Sequence, residues 1–108
     1  VERALRRWID AEASQHPGLR RLGYFGSYAR GDWGVGSDLD LVAIVDRADL
    51  PFHERGREWA LETLPVPAEI LVYTEDEWER LHAAGGRFAQ MLAKETIWIY
   101  PPREVPTA

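Results

Sequence analysis

The chain reads as a small α/β sandwich of the α+β type, a mixed sheet flanked by helices. Three observations predict this. Four short apolar and aromatic runs, Arg21–Phe25, Ser37–Val45, Ala68–Tyr73 and Thr96–Tyr100, are separated by stretches with helical spacing. Proline and glycine mark the junctions, at Pro17-Gly18, at Pro65 and Pro67, and at Gly85-Gly86. At 108 residues and 45% hydrophobic content, the chain has material for one core and no room for a second. The domain is expected over 1–100, and the proline-rich stretch 101–108 is expected to be an extended or disordered tail.

Each element has its own reason. Residues 2 to 15 place Leu5, Trp8 and Ile9 on one stripe, with Arg3, Arg6, Arg7 and Asp10 largely off it, and His16-Pro17-Gly18 ends the helix. Arg21 to Phe25 is a short strand that runs into Gly26-Ser27, where Ser27 suits an N-cap for a turn through Tyr28, Ala29 and Arg30. Ser37 to Val45 has strand composition. Phe52 to Leu64 predicts a second helix, with Trp59, Ala60 and Leu64 in the core and Arg55 and Arg57 in solvent; Pro65 and Pro67 stop it. In Ala68–Tyr73, Glu69, Leu71 and Tyr73 share one face and Ile70 and Val72 take the other. Thr74-Glu75-Asp76-Glu77 is a capping box opening a helix that carries Trp78 and Leu81. Gly85-Gly86 breaks that helix, Phe88 to Ala93 resumes it, and Thr96 to Tyr100 forms the last strand. His16, His53 and His82 lack metal-ligand spacing and read as ordinary surface or helix residues.

The chemistry concentrates between Gly26 and Leu41. A strand, a Gly-Ser turn and a helix start make an anion cradle: free N–H groups and the positive end of the helix dipole favour phosphate, and Gly26 lets a ligand approach the backbone. Ser27 adds a hydroxyl donor. Asp38 and Asp40 stand two apart in an extended run, so both point one way, roughly 6–7 Å apart along the backbone, while Leu39, Leu41, Ala43 and Val45 face the core. Crowded carboxylates repel, which raises a pKa or calls for a cation between them. An oxygen-only set suits Mg²⁺, which keeps waters and completes its shell with substrate phosphates. Two such ions can activate an attacking oxygen and stabilise departing pyrophosphate.

Gly26, Ser27, Ala29, Arg30, Gly31, Ser37, Asp38, Asp40 and Leu41 match the pattern G-S-x-A-R-G-x5-S-D-x-D-L, and here the chain resembles the minimal nucleotidyltransferase domains of the DNA polymerase β-like superfamily. The resemblance implies the polymerase β-like fold, ATP as substrate, two Mg²⁺ ions on Asp38 and Asp40, and a third carboxylate from a later strand. Glu69 is the candidate for that third position, as metal ligand and as the group that helps deprotonate the acceptor. The family more often has Asp there. Gly26 and Ser27 would hold the triphosphate, with the Ser37 hydroxyl or N–H reaching a phosphate. Arg30 has two readings, a phosphate contact or a structural salt bridge.

The resemblance extends to stand-alone domains that act as the antitoxin of a two-gene pair, encoded beside a HEPN-domain ribonuclease, some of which transfer AMP from ATP to a tyrosine of that partner. Because the chain stops after the catalytic sheet, the acceptor is expected on another chain, such as a HEPN toxin. Two other functions stay open: a steric antitoxin whose acidic site is idle, and transfer to a small molecule such as an aminoglycoside, with a homo- or hetero-oligomer building the acceptor pocket. The net charge of −5 argues against direct binding of polymeric nucleic acid. No apolar run approaches membrane-spanning length and no signal-peptide pattern opens the chain, which predicts a cytoplasmic protein without a membrane partner. The lack of cysteine excludes disulfides and thiolate metal sites. The segment Asp32-Trp33-Gly34-Val35-Gly36 puts an aromatic beside the proposed site, to meet a partner, stack on a base or fold into the core.

Overall fold

A computed structural model of the chain describes residues 2–32, 34 and 37–101. The elements run α1 (Glu2–Gln15), β1 (Leu19–Phe25), α2 (Ser27–Arg30), β2 (Leu39–Val45), two 3₁₀ turns (Phe52–Glu58 and Leu61–Thr63), β3 (Ala68–Thr74), α3 (Glu75–Ala84), α4 (Arg87–Glu95) and β4 (Ile97–Tyr100). The loop positions Trp33, Val35 and Gly36 and the tail 102–108 lie outside the described residues.

The sheet order is β3-β2-β1-β4. β1 pairs antiparallel with both β2 and β4, whereas β2 and β3 are parallel, so the sheet is mixed as expected. A parallel pair needs a crossover connection. Here residues 46–67 provide it without a continuous helix.

One sheet face carries the main core. Leu5, Trp8 and Ile9 of α1 pack with Leu19, Leu22, Leu39, Leu41, Ala43, Val45, Val72, Trp59 and Leu64. The predicted inward residues of β2 are there, and Val42 and Ile44 on the opposite face are buried too. β2 is thus covered on both sides, as a central strand with a parallel neighbour should be. The second face is thinner: among the described residues, Phe25, Val42 and Leu92 are the buried members of its cluster, with Leu71, Tyr73, Trp78, Leu81, Met91 and Trp98 half-buried around them.

Residues 52–64 depart from expectation. In place of an α-helix there are two 3₁₀ turns, interrupted at Trp59, which is extended at φ −113° and ψ 136°. The physical reason lies in α1. Trp8 Nε1 donates to the Ala60 carbonyl at 2.8 Å, and the Ala60 N–H donates to Glu12 Oε1 at 2.7 Å. Both backbone groups that a helix would use at Ala60 are therefore taken by side chains. Trp59 is buried between Trp8 and a stacked His16, whose ring lies 3.9 Å away at 7°. His16 is accordingly a packing residue rather than a surface one.

Arg55, expected in solvent, is buried. Its Nε donates to the Leu50 carbonyl at 2.8 Å, and Nη1 donates to the Val72 carbonyl at 2.9 Å. Nη1 and Nη2 also grip the Glu77 carboxylate at 2.5 and 3.2 Å. Arg57 is exposed as expected. Glu77 completes the predicted capping box, its N–H donating to Thr74 Oγ1 at 3.2 Å while Oε1 accepts from the Thr74 N–H at 2.8 Å.

Candidate active site

The candidate site lies where β1 ends and β2 and β3 begin. Leu39 N–H donates to the Pro67 carbonyl at 2.8 Å, which ties the starts of the two parallel strands together. The register that follows sets Asp40 opposite Glu69 on one side and opposite Phe25 on the other. Adjacent strands lie about 4.8 Å apart. Asp40 therefore stands between the third carboxylate and the Gly26 turn. Asp38 is exposed and immediately precedes β2, Asp40 is half-buried, and Glu69 is exposed.

Burial raises the Asp40 pKa above its usual value, and the charges of Glu69 and Asp38 push it further up; Arg30 opposes them. Both other candidate carboxylates thus act on Asp40. Among the described residues, no group of three His, Asp or Glu side chains is arranged as a ready-made metal cage. The donor set fits an ion held by one or two carboxylates and completed by phosphates and water, which is how Mg²⁺ is ordinarily bound.

Gly26, rather than Ser27, is the N-cap of α2. Its φ of 75° and ψ of −150° fall in a region essentially reserved for glycine. A Cβ at this position would also run into Asp40 Oδ2. The glycine thus sets both the turn and the space in which the Asp40 carboxylate sits. Ser27 becomes the first helical residue, and among the described residues its hydroxyl has no partner. Gly26→Ala is expected to lower stability by about 2 kcal/mol and to displace Asp40, read as a lower Tm.

Arg30 and Ser37 are engaged within the protein. Arg30 Nε donates to Asp32 Oδ2 at 3.1 Å and Nη1 donates to Glu95 Oε2 at 3.5 Å, so its salt-bridge reading is the one the structure displays. These partners raise its pKa, Asp32 foremost. Ser37 closes the preceding turn: its N–H donates to the Gly34 carbonyl at 3.0 Å and its Oγ accepts from Gly34 N–H at 2.9 Å. Glu95 is the contact that sequence reading missed. It sits 65 positions from Arg30 at the end of α4, and no local pattern signals it.

A strand, a phosphate-type turn and carboxylates on the two neighbouring strands define a nucleotidyl-transfer architecture. The nucleotidyltransferase domain family matches residues 6–99, and the chain belongs to it. It shares 37% identity over 46 residues with a putative protein adenylyltransferase of Methanocaldococcus jannaschii, a match covering 42% of this chain and 46% of the relative. The matched part therefore spans about half the length of that relative. The crystal structure of a putative nucleotidyltransferase from Sulfolobus solfataricus has the same fold, with a TM-score of 0.63 and 20% identity over 91% of this chain and 78% of that one. No helix among the described residues is long and apolar enough to cross a membrane.

Proposed function

We propose that this nucleotidyltransferase domain transfers AMP from ATP to a hydroxyl of a partner protein, a tyrosine of a HEPN-domain toxin, and so acts as an antitoxin. The observation that carries the transfer chemistry is the position of Asp40, beside Glu69 and against Gly26. The protein acceptor is supported by the likeness to a relative described as a protein adenylyltransferase.

Asp38 and Asp40 would hold Mg²⁺, which supplies charge neutralisation of the triphosphate when bound. The free N–H groups at the start of α2 and the Ser27 hydroxyl would orient the phosphates. The acceptor oxygen forms a bond to the α-phosphorus, and the bond from that phosphorus to the bridging oxygen breaks. Pyrophosphate leaves with the bonding pair. Glu69, exposed at the site edge, takes the hydroxyl proton or passes it to water.

The test is intact-mass spectrometry of a purified HEPN-domain protein incubated with the chain, ATP and Mg²⁺. A gain of AMP units, absent when ATP or Mg²⁺ is withheld, is expected. An unmodified HEPN protein in a tight complex would replace this reading with steric neutralisation.

A further inference from the structure

Phe88 leaves a large ring in solvent beside the carboxylates. It sits in the first turn of α4 and is 43% exposed, whereas Ala89 and Leu92 of the same helix are buried. Its ring meets that of Phe25 nearly edge-on, with centroids 6.3 Å apart and planes at 85°. Such a contact uses at most one face of the Phe88 ring, so at least one face is left for another partner. Phe25 is the cross-strand partner of Asp40 and the residue before the Gly26 turn. Alternation along the strands puts Asp40 on the side of Val42 and Glu69 on the side of Leu71. Val42 and Leu71 belong, with Phe25, to the cluster that includes Leu92 of α4. Phe88 therefore stands on the sheet face that carries both carboxylates.

We propose that Phe88 is the platform on which the adenine of bound ATP stacks. This deepens the proposed adenylyl transfer and rests on ATP being its nucleotide. Phosphates held between the Gly26 turn and Asp40 would leave the ribose and base to run along this face. Two other large apolar side chains are exposed among the described residues, and neither suits the role. Phe52 packs on Tyr73, four residues along β3 from Glu69, about 13 Å away. Ile97, on the edge strand β4, has no planar face to offer. The platform is also fixed relative to the phosphate turn. Leu92 is fully buried one turn further on, and Glu95 at the end of α4 accepts from Arg30 Nη1 at 3.5 Å, which ties the helix to α2. A ring already held in place offers a stack at little ordering cost. Stacking suits any base, so Phe88 sets affinity and position rather than strict base identity.

The experiment measures binding of ATP and of inorganic tripolyphosphate, each with Mg²⁺, by isothermal titration calorimetry with no acceptor protein present. Phe88→Ala is expected to weaken ATP by about tenfold, while its tripolyphosphate affinity and Tm stay close to the parent's because much of the ring is already in solvent. Phe88→Trp should restore ATP affinity. The adenine proton resonances of ATP should move upfield on binding to the parent and to Phe88→Trp, but not to Phe88→Ala. Unchanged ATP affinity in Phe88→Ala, or an equal fall for ATP and tripolyphosphate, would overturn the proposal. Binding of neither ligand by the parent would overturn it together with the reading of Gly26 as a phosphate turn. ATP held through Phe88 by a protein that modifies no acceptor would leave this assignment standing and count against adenylyl transfer to a protein alone.

Discussion

Asp40→Asn is expected to lower nucleotidyl transfer by a factor on the order of 10³ while leaving the fold intact and Tm equal to or above that of the parent at neutral pH. The two effects have one cause. Asp40 is crowded by burial, Glu69 and Asp38, all of which lift its pKa in the folded protein. A carboxyl with a folded pKa above its unfolded value contributes stability below that unfolded value, and loses it as pH rises through the folded pKa. At neutral pH the ionised carboxylate therefore opposes folding, and asparagine removes the charge at nearly the same shape. In the proposed mechanism, the charge that opposes folding here is the one that would hold the cation. If the proposed mechanism holds, transfer by the parent should likewise decline on the acid side above the range of an ordinary aspartate, since protonated Asp40 would not hold Mg²⁺. Unchanged AMP incorporation by Asp40→Asn, or a variant that unfolds, would exclude this assignment.

Arg55→Leu is expected to cost about 3 kcal/mol of stability, a fall in Tm of roughly 10–20 °C for a domain of this size. The Arg55 side chain is 9% exposed and ties the Phe52–Glu58 turn to the edge of β3 and to the N-terminus of α3. Leucine would fill much of the space but leave the Leu50 and Val72 carbonyls and the Glu77 carboxylate without their donor. In the parent, hydrogen bonds from Arg55 above all hold the Glu77 pKa down, from 4.5 to about 2. The stability linked to that depression is fully present above pH 4.5 and is lost as pH falls through about 2. With the Glu77 side chain 30% exposed, solvent screening reduces this part to on the order of 1–2 kcal/mol. Acid denaturation followed by circular dichroism should show the acid-dependent loss in the parent and little of it in Arg55→Leu. Equal acid profiles would show that Glu77 draws its low pKa from the capping box rather than from Arg55.

The two variants probe different depths of legibility. The turn at Gly26 and the extended run carrying Asp40 were readable because their signal is local: a turn that needs glycine, and alternation along a single strand. Strand faces followed from the same alternation, which is why Leu39, Leu41, Ala43 and Val45 all fell in the main core. The capping box at Thr74 was readable within four residues. What pattern alone left unspecified was pairing. That Glu69 stands beside Asp40 depends on the parallel register, set by Leu39 and Pro67 from separate parts of the chain.

Residues 52–64 show where local preference yields. Their apolar spacing suits a helix, but hydrogen bonds from Trp8 and to Glu12 occupy the Ala60 backbone and extend Trp59. Arg55 reads as a solvated charge until Glu77, 22 positions away, and the Val72 carbonyl supply its partners. Sequence by itself determined the class of chemistry and the elements that present it, because phosphate turns and alternating carboxylates are properties of neighbouring residues. Only the tertiary structure decided which carboxylates meet, which charges are buried and which aromatic face stays open, because those depend on backbone groups and side chains brought together by strand register and helix packing.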